Sequence, residues 1–341
     1  MSNDLVEPFE RLLADACPPD TVRAIERGGA HGGLWLRLEQ SGFLDTLVAE
    51  ADGGAGLRLA DAFHLFLGEG RHALPVPVGP TMLVRALLAH EGIAAPEGAI
   101  AIAAQTHHAD DGAIACPDTP FGAVADWVAV GSADGWCLVP VAGTDRRSSG
   151  IHGSLRADLR WTAAPPGSIR VPGAAVAWRE AGAAITAAQL AGAMERVLQL
   201  TVAFANDRVQ FGKSIGKFQA IQHQLAVMAE HVAAARMAAE IGCAGTGPLP
   251  EPLRAALAKA RSSEAAALAA TTAHAVHGAI GITAELDLQL YTRRLHEGRA
   301  DYGAETHWNR VLGRALLASG SGLALDFMRA ELIPRNEDTR P

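Results

Sequence analysis

The sequence predicts an α+β chain in three parts: an N-terminal helical domain, a small middle β domain and a C-terminal four-helix bundle. Three observations carry this. The first is length, since 341 residues exceed what one compact core usually holds. The second is a change of texture near Gly98, where helix-spaced apolar residues give way to short runs punctuated by Gly, Pro, Asp and Ser. The third is a return to long, Ala-rich, helix-periodic segments beyond Trp178. The boundaries drawn from these are 1–97, 98–178 and 179–341.

Within the first part, apolar spacing is helical from Asp4 to about Glu91. WLRLEQSGFLDTLV shows it, and it resumes in LRLADAFHLFLGEGRHAL after a glycine-rich turn. PVPVGP at 75–80 punctuates the chain before a further helix, MLVRALLAH. In the middle part AIAIAAQ, AVADWVAVG, GWCLVPVAG and SLRADLRW read as strands. His107, His108, Asp110 and Asp111 read as a polar loop between strands. In the third part helices are expected at about 182–207, 216–243, 250–276 and 284–318. Breaks fall at GKSIG, GTGPLPEP and HGAIG.

Composition narrows the function classes. Hydrophobic residues make up 49% and aromatic ones 5%, which suits closely packed helices with small interface residues. A net charge of -8 gives no general attraction for nucleic acid or an anionic membrane, so a phosphate-bearing ligand needs local groups. Cys17, Cys116, Cys137 and Cys243 are scattered, with no CxxC pair, and read as reduced thiols of a cytoplasmic protein. The N-terminus is acidic and amphipathic, unlike a signal peptide. Ala265 to Ala284 carries no charge and is long enough to span a bilayer. Its histidines, glycines and threonines favour a buried bundle helix, so no membrane partner is expected.

One segment concentrates hydrogen-bonding chemistry. RVQFGKSIGKFQAIQH (208–223) gathers an arginine, two phenylalanines, two glycines, two lysines and three glutamines between two long helices. Gly212 and Gly216 allow a tight bend and close approach of a ligand. Arg208 offers a planar fork suited to a diphosphate, Phe211 and Phe218 offer flat faces, and the Gln219 amide can read a base edge or phosphate oxygen. The alternative is a helix–helix turn whose polar residues are solvated. His274 and His277 have metal-pair spacing, but no third ligand follows at motif spacing, and no metal is expected.

RVQFGKSIGKFQAIQHQLAVMA resembles the hallmark segment RxxFGxxIxxFQxxQxxLAxM of the acyl-CoA dehydrogenase family. HGAIGITAELDLQLYTRRL resembles its second hallmark, a glycine-rich turn and the helix after it. The helical, β, helical order is also the family's. The resemblance implies an oxidoreductase that desaturates the α,β bond of an acyl-CoA thioester, with FAD extended at a subunit interface and an electron-transfer acceptor protein. On matching positions, it implies that Arg208, Phe211, Gly212 and Gln219 hold the adenosine diphosphate half. His277, Gly278 and Gly281 fall in the turn that packs on the cofactor from a neighbouring subunit.

The same reaction needs a carboxylate beside the acyl Cα as base. The family register for that residue lands on Tyr302, followed by Gly303, and the other family location lands on Gly182 near Glu180. Asp301 and Glu305 are the nearby candidates. Against them stand a capping role for Asp301 and solvation, or pairing with Arg310, for Glu305. The usual flavin-covering segments are represented only by PDTPFGAV (117–124) and DWVAV. These departures resemble the heteromeric, steroid-degradation-type branch, in which two different chains share one FAD site. A homo-oligomer or a heterotetramer is expected. The active enzyme and a catalytically incomplete partner subunit both remain open.

Overall fold

The computed structural model describes residues 3–245 and 247–333. Five helices open the chain: α1 (Asn3–Ala16), α2 (Pro19–Glu26), α3 (Gly32–Gln40), α4 (Leu59–Arg71) and α5 (Val78–His90). Phe9 and Leu13 of α1 and Phe63, Phe66 and Leu67 of α4 are almost fully buried, and α5 is buried on every side from Val78 to Leu88. The helix expected after PVPVGP begins inside it, at Val78.

Eight strands follow: β1 (Ile100–Ile102), β2 (His107–His108), β3 (Ile114–Thr119), β4 (Trp127–Ser132), β5 (Gly135–Pro140), β6 (Asp145–Ser148), β7 (Ala157–Trp161) and β8 (Ile169–Pro172). They form two four-stranded sheets, ordered β1-β4-β5-β8 and β2-β3-β7-β6, in which only β1 and β4 pair in parallel. Ala101, Val128 and Val139 of one sheet share a core with Cys116, Leu159 and Trp161 of the other, which makes a small sandwich. His107 and His108, expected in a loop, form the edge strand β2. Their backbones pair with Ala115 and Ile114, and the ring of His108 bonds the Gly131 carbonyl.

The C-terminal bundle begins with α6 (Trp178–Asp207). A two-stranded hairpin, β9 (Val209–Gln210) and β10 (Lys213–Ser214), leads to α7 (Gln219–Cys243) and α8 (Pro252–His277). The hairpin turns on Phe211 and Gly212, both with positive φ, and a short 3-10 turn at Ile215–Lys217 delays α7. The single helix expected over 284–318 is divided into α9 (Leu288–Ala300) and α10 (Glu305–Ala318), followed by α11 (Ala324–Phe327). Tyr302 (φ 54°) and Gly303 (φ 109°) take the chain out of helical geometry between them.

The alanines expected to allow close packing do so. Ala255, Ala256, Ala258, Ala265, Ala266 and Ala269 of α8 are fully buried. This helix falls within the one stretch among the described residues that is long and apolar enough to cross a membrane, and here it serves as a core helix of the bundle. Between α4 and α6 the backbones touch: a Cβ on Gly70 would lie 1.9 Å from the Gln189 carbonyl oxygen, and one on Gly192 equally close to that of Leu67. This crossing ties the N-terminal helices to the bundle and frames a cavity. The four cysteines are unpaired, and burial pushes the thiols of Cys17, Cys116 and Cys243 up to about 12.

Candidate functional site

At one end of the bundle the two glycine-bearing turns converge. Phe204, near the end of α6, stacks on His277 at the end of α8 with ring centroids 4.3 Å apart. Arg208 caps α6; its backbone carbonyl accepts the Ile215 amide at 2.8 Å, while its side chain stays exposed. Phe211, at the hairpin tip, is 92% exposed and meets Phe218 edge-on, and the Lys213 ammonium lies 4.3 Å from the centre of the Phe218 ring. Gln219 opens α7 with an exposed amide. A positive-φ glycine, Gly278, begins the second turn, and a Cβ there would meet open space. Gly281 is buried, and its absent Cβ makes room for His277, so it has a packing reason of its own.

The two histidines with metal-pair spacing take separate partners. His274 Nε2 bonds Thr292 Oγ1 at 3.0 Å, and His277 Nδ1 bonds the Ala273 carbonyl at 2.8 Å. Burial holds both imidazoles below their usual pKa.

The residues expected around the base lie at the opposite end. As a 30-residue helix, α6 is about 45 Å long, with Gly182 in its first turns and Arg208 capping its last. Tyr302 is buried and reaches back onto Gly182, where a Cβ would lie 2.2 to 2.5 Å from three atoms of the tyrosine ring. The two positions where the resemblance sought a carboxylate therefore fill one another. Tyr302 donates its hydroxyl to the Ile102 carbonyl at 3.1 Å, and burial pushes its phenol well above the ordinary range.

Both candidate carboxylates are engaged. Asp301 caps α9 and pairs with Arg156, whose guanidinium also grips Asp118 through Nε (2.7 Å) and Nη2. This clasp ties the PDTPFGAV loop to the turn after α9. Burial pushes the Asp301 carboxyl up against the pull of Arg156 and Lys259. Glu305 pairs with Arg299, not with Arg310 as sequence spacing suggested, and that guanidinium holds its carboxyl below the ordinary range.

Sequence reasoning passed over the residues that build this end. Lys259, fully buried on α8, donates to Ser263 Oγ (2.9 Å) and to the carbonyls of Arg299 (2.9 Å) and Gly303 (3.0 Å), fixing the turn that carries Tyr302. Its signal was a lysine within the otherwise small-residue run AALAKARSS. Arg156 and Asp118 carried no signal, since only the fold brings them to Asp301. Beside the clasp, α4, α6 and α9 line a cavity of about 90 Å³ together with Phe121 and Leu155 of the middle part and the Asp301–Tyr302 turn.

A family profile described as "Acyl-CoA dehydrogenase, C-terminal domain" matches residues 180–316, which include both ends of this bundle. The chain is also 35% identical over 306 residues to acyl-CoA dehydrogenase IpdE2 of Mycobacterium tuberculosis, covering 86% of this chain and 90% of that one. The chain belongs to the acyl-CoA dehydrogenase family. That is a family of oxidoreductases acting on acyl-CoA. Among solved structures it is similar to the ChsE4–ChsE5 complex of M. tuberculosis (TM-score 0.82, 21% identity, 94% of this chain and 98% of that one). It is similar also to butyryl-CoA dehydrogenase of Megasphaera elsdenii (TM-score 0.73, 20% identity, 92% and 98%). In this chain the 208–223 segment is an exposed bend, and Tyr302 packs on Gly182 at the wall of the cavity.

Proposed function

We propose that this chain is one subunit of a heteromeric, FAD-dependent acyl-CoA dehydrogenase. In this reading it lends a nucleotide cradle to a flavin shared with a second, homologous chain, and the α-proton of the acyl-CoA thioester is taken on that other chain. Tyr302 packed on Gly182 carries the reading, because it leaves no carboxylate at either family position. Distance supports it. Roughly 40 Å of helix separates Arg208 from the Asp301–Tyr302 turn, so the cradle and the base position of one chain cannot serve the same flavin.

The residues present fit the nucleotide half of FAD. Arg208 holds its guanidinium outward and offers a bidentate fork to a diphosphate. Phe211 presents an almost wholly exposed ring, and the Gln219 amide can donate and accept. The open side of Gly278 admits close approach of the backbone. Bound FAD supplies the hydride acceptor for α,β-desaturation. At the other end Arg156 holds Asp301, Arg299 holds Glu305, and the Tyr302 hydroxyl is spent on Ile102, so this chain retains its protons through the reaction. An electron-transfer acceptor protein and a cytoplasmic setting belong to the same proposal. ChsE4–ChsE5, which this chain resembles in fold, is a complex of two chains.

Co-expression with a homologous chain that carries a glutamate at the base position tests the reading. The expected product is a yellow complex with one flavin per two chains, alongside a colourless lone chain. Replacing Arg208 with Ala removes a charge-assisted contact of about 1.5–3 kcal/mol, so flavin in the complex is held roughly ten- to a hundredfold less tightly. A lone chain that retains flavin and bleaches with an acyl-CoA would overturn the proposal.

A further inference from the structure

A cleft of about 430 Å³ runs along one face of α9, where Gln289, Thr292, Arg293 and His296 recur at helical spacing. Arg23, Glu26 and Arg27 of α2 form its second wall and the β6–β7 loop at 151–153 its third, while Ile282 and Ala284 close it beyond the second glycine-bearing turn. The volume falls within the roughly 300–1,000 Å³ usual for small-molecule sites. Its wall holds neither Arg208, Phe211 and Gln219 of the cradle nor Gly182, Asp301 and Tyr302 of the opposite end.

The walls are fixed to one another. Arg23 donates to Asp287 (2.5 Å), the N-cap residue of α9, and to Asp20 (3.1 Å). Arg293 donates to Glu26 (2.6 Å), to Gln289 Oε1 (2.7 Å) and to the His152 carbonyl (2.8 Å). The last of these bonds needs Gly153, where a Cβ would lie 2.1 Å from Arg293 Nη1. Glu26, the one acid among the described residues of the wall, has an almost fully buried side chain and is held by Arg294 as well. His274 and Thr292 bond each other. The groups left over can all donate. The Arg27 guanidinium and the rings of His152 and His296 make no hydrogen bond or ion pair among the described residues, and Gln289 keeps an unbonded amide nitrogen.

We infer that this cleft binds a small organic phosphate, a phosphate monoester with a compact apolar part. Free donors with no free carboxylate beside them suit an anion, in a chain whose net charge of -8 offers anions nothing in general. A phosphate presents three oxygens to these donors and a carboxylate only two, which favours the phosphate. Ile151 and Ile282, both exposed, line the same cleft and supply the surface on which the apolar part lies. Arg27, His152, His296 and the Gln289 amide take the phosphate oxygens. The inference goes beyond the nucleotide cradle and stands whether or not that cradle holds FAD.

Phenyl phosphate is the probe, with inorganic phosphate, benzoate and phenol for comparison, titrated calorimetrically into the full-length protein as purified with any chain that accompanies it. Phenyl phosphate should bind saturably, inorganic phosphate and benzoate about tenfold more weakly or less, and phenol not at all. Arg27→Gln and His296→Gln, at positions with no partner to lose, should each weaken phenyl phosphate about tenfold. Ile282→Ser should weaken phenyl phosphate about fivefold and leave inorganic phosphate unchanged. Arg208→Ala locates the site: unchanged binding of phenyl phosphate supports the cleft, and loss of it places the phosphate at the cradle and overturns the inference. The inference also falls if phenyl phosphate does not saturate, if benzoate binds equally well, or if Arg27→Gln binds like the unaltered protein.

Discussion

A methyl group on Gly182 tests how tightly Tyr302 packs against α6. In Gly182→Ala the new Cβ would fall 2.2 Å from Tyr302 Cε1, 2.4 Å from Cζ and 2.5 Å from Cδ1, more than 1 Å inside ordinary carbon–carbon contact. The ring cannot simply withdraw. Its hydroxyl is bonded to Ile102 on β1, and its backbone sits at φ 54° between carbonyls that Lys259 holds. Overpacking of this kind costs about 1–3 kcal/mol, equivalent to a fall of roughly 1.5–4 °C in the unfolding midpoint for a chain of this size. Tyr302→Ala removes the ring instead and should cost about 3–5 kcal/mol through the cavity it leaves. The double variant is the decisive arm, because the alanine methyl then points into vacated space. Its cost should fall below the sum of the singles by about 1 kcal/mol or more, measured as a double-mutant cycle by denaturant unfolding. Additive costs, or a neutral Gly182→Ala, would refute the contact and with it the claim that the base position is filled.

The pH dependence of stability follows from Glu69. Burial raises its folded pKa to about 8, above the ordinary carboxylate value, so the folded state binds the extra proton. Its contribution is complete below about pH 4.5 and is lost as pH rises through 8, at up to about 1.4 kcal/mol per pH unit. Glu69→Gln should flatten that slope in urea midpoints measured from pH 5 to 9, and an unchanged slope would assign the proton elsewhere. Asp301→Asn removes one carboxylate from the Arg156 clasp and should cost about 2 kcal/mol of stability. It should leave turnover of the heteromeric complex within about twofold, and loss of turnover at preserved stability would return Asp301 to candidacy as the base.

Features carried by periodicity and by local turn chemistry were legible in the sequence. The alanine faces of α6 and α8 announce a bundle, and Phe211–Gly212 sits at the tip of a bend in a segment already marked as unusual. The division of the last long helix was not legible. HEGRADYGAETH reads as helix-compatible until Lys259, distant in sequence, takes the carbonyls of Arg299 and Gly303 and holds Tyr302 in a left-handed conformation. The clasp was equally hidden, because Asp118, Arg156 and Asp301 come from three elements and their proximity is a property of the fold alone. Register arithmetic pointed to Tyr302 and Gly182 as the positions matching the family's base. What it could not show is that one residue occupies the room left by the other.

Tyr302 and Gly182 are better understood together. If Tyr302 had merely replaced a carboxylate while a side chain remained at position 182, the ring would have had no place to go. With glycine at 182 alone, a void would have opened beside α6. Together they form a packed contact buried against β1, reinforced by a lysine hydrogen-bonded to the turn and an arginine bound to both flanks of the cleft. Tyr302 is buried at this end of the molecule, while Arg208, Phe211 and Gln219 are exposed at the other. About 40 Å of helix separates the two ends, and side chains that far apart contribute nearly independently, so one end can be rebuilt while the other is kept. In the proposed assembly, where this chain lends a cradle and its partner the base, such a chain is tolerated; a homo-oligomer, in which every chain must supply both, would not tolerate it.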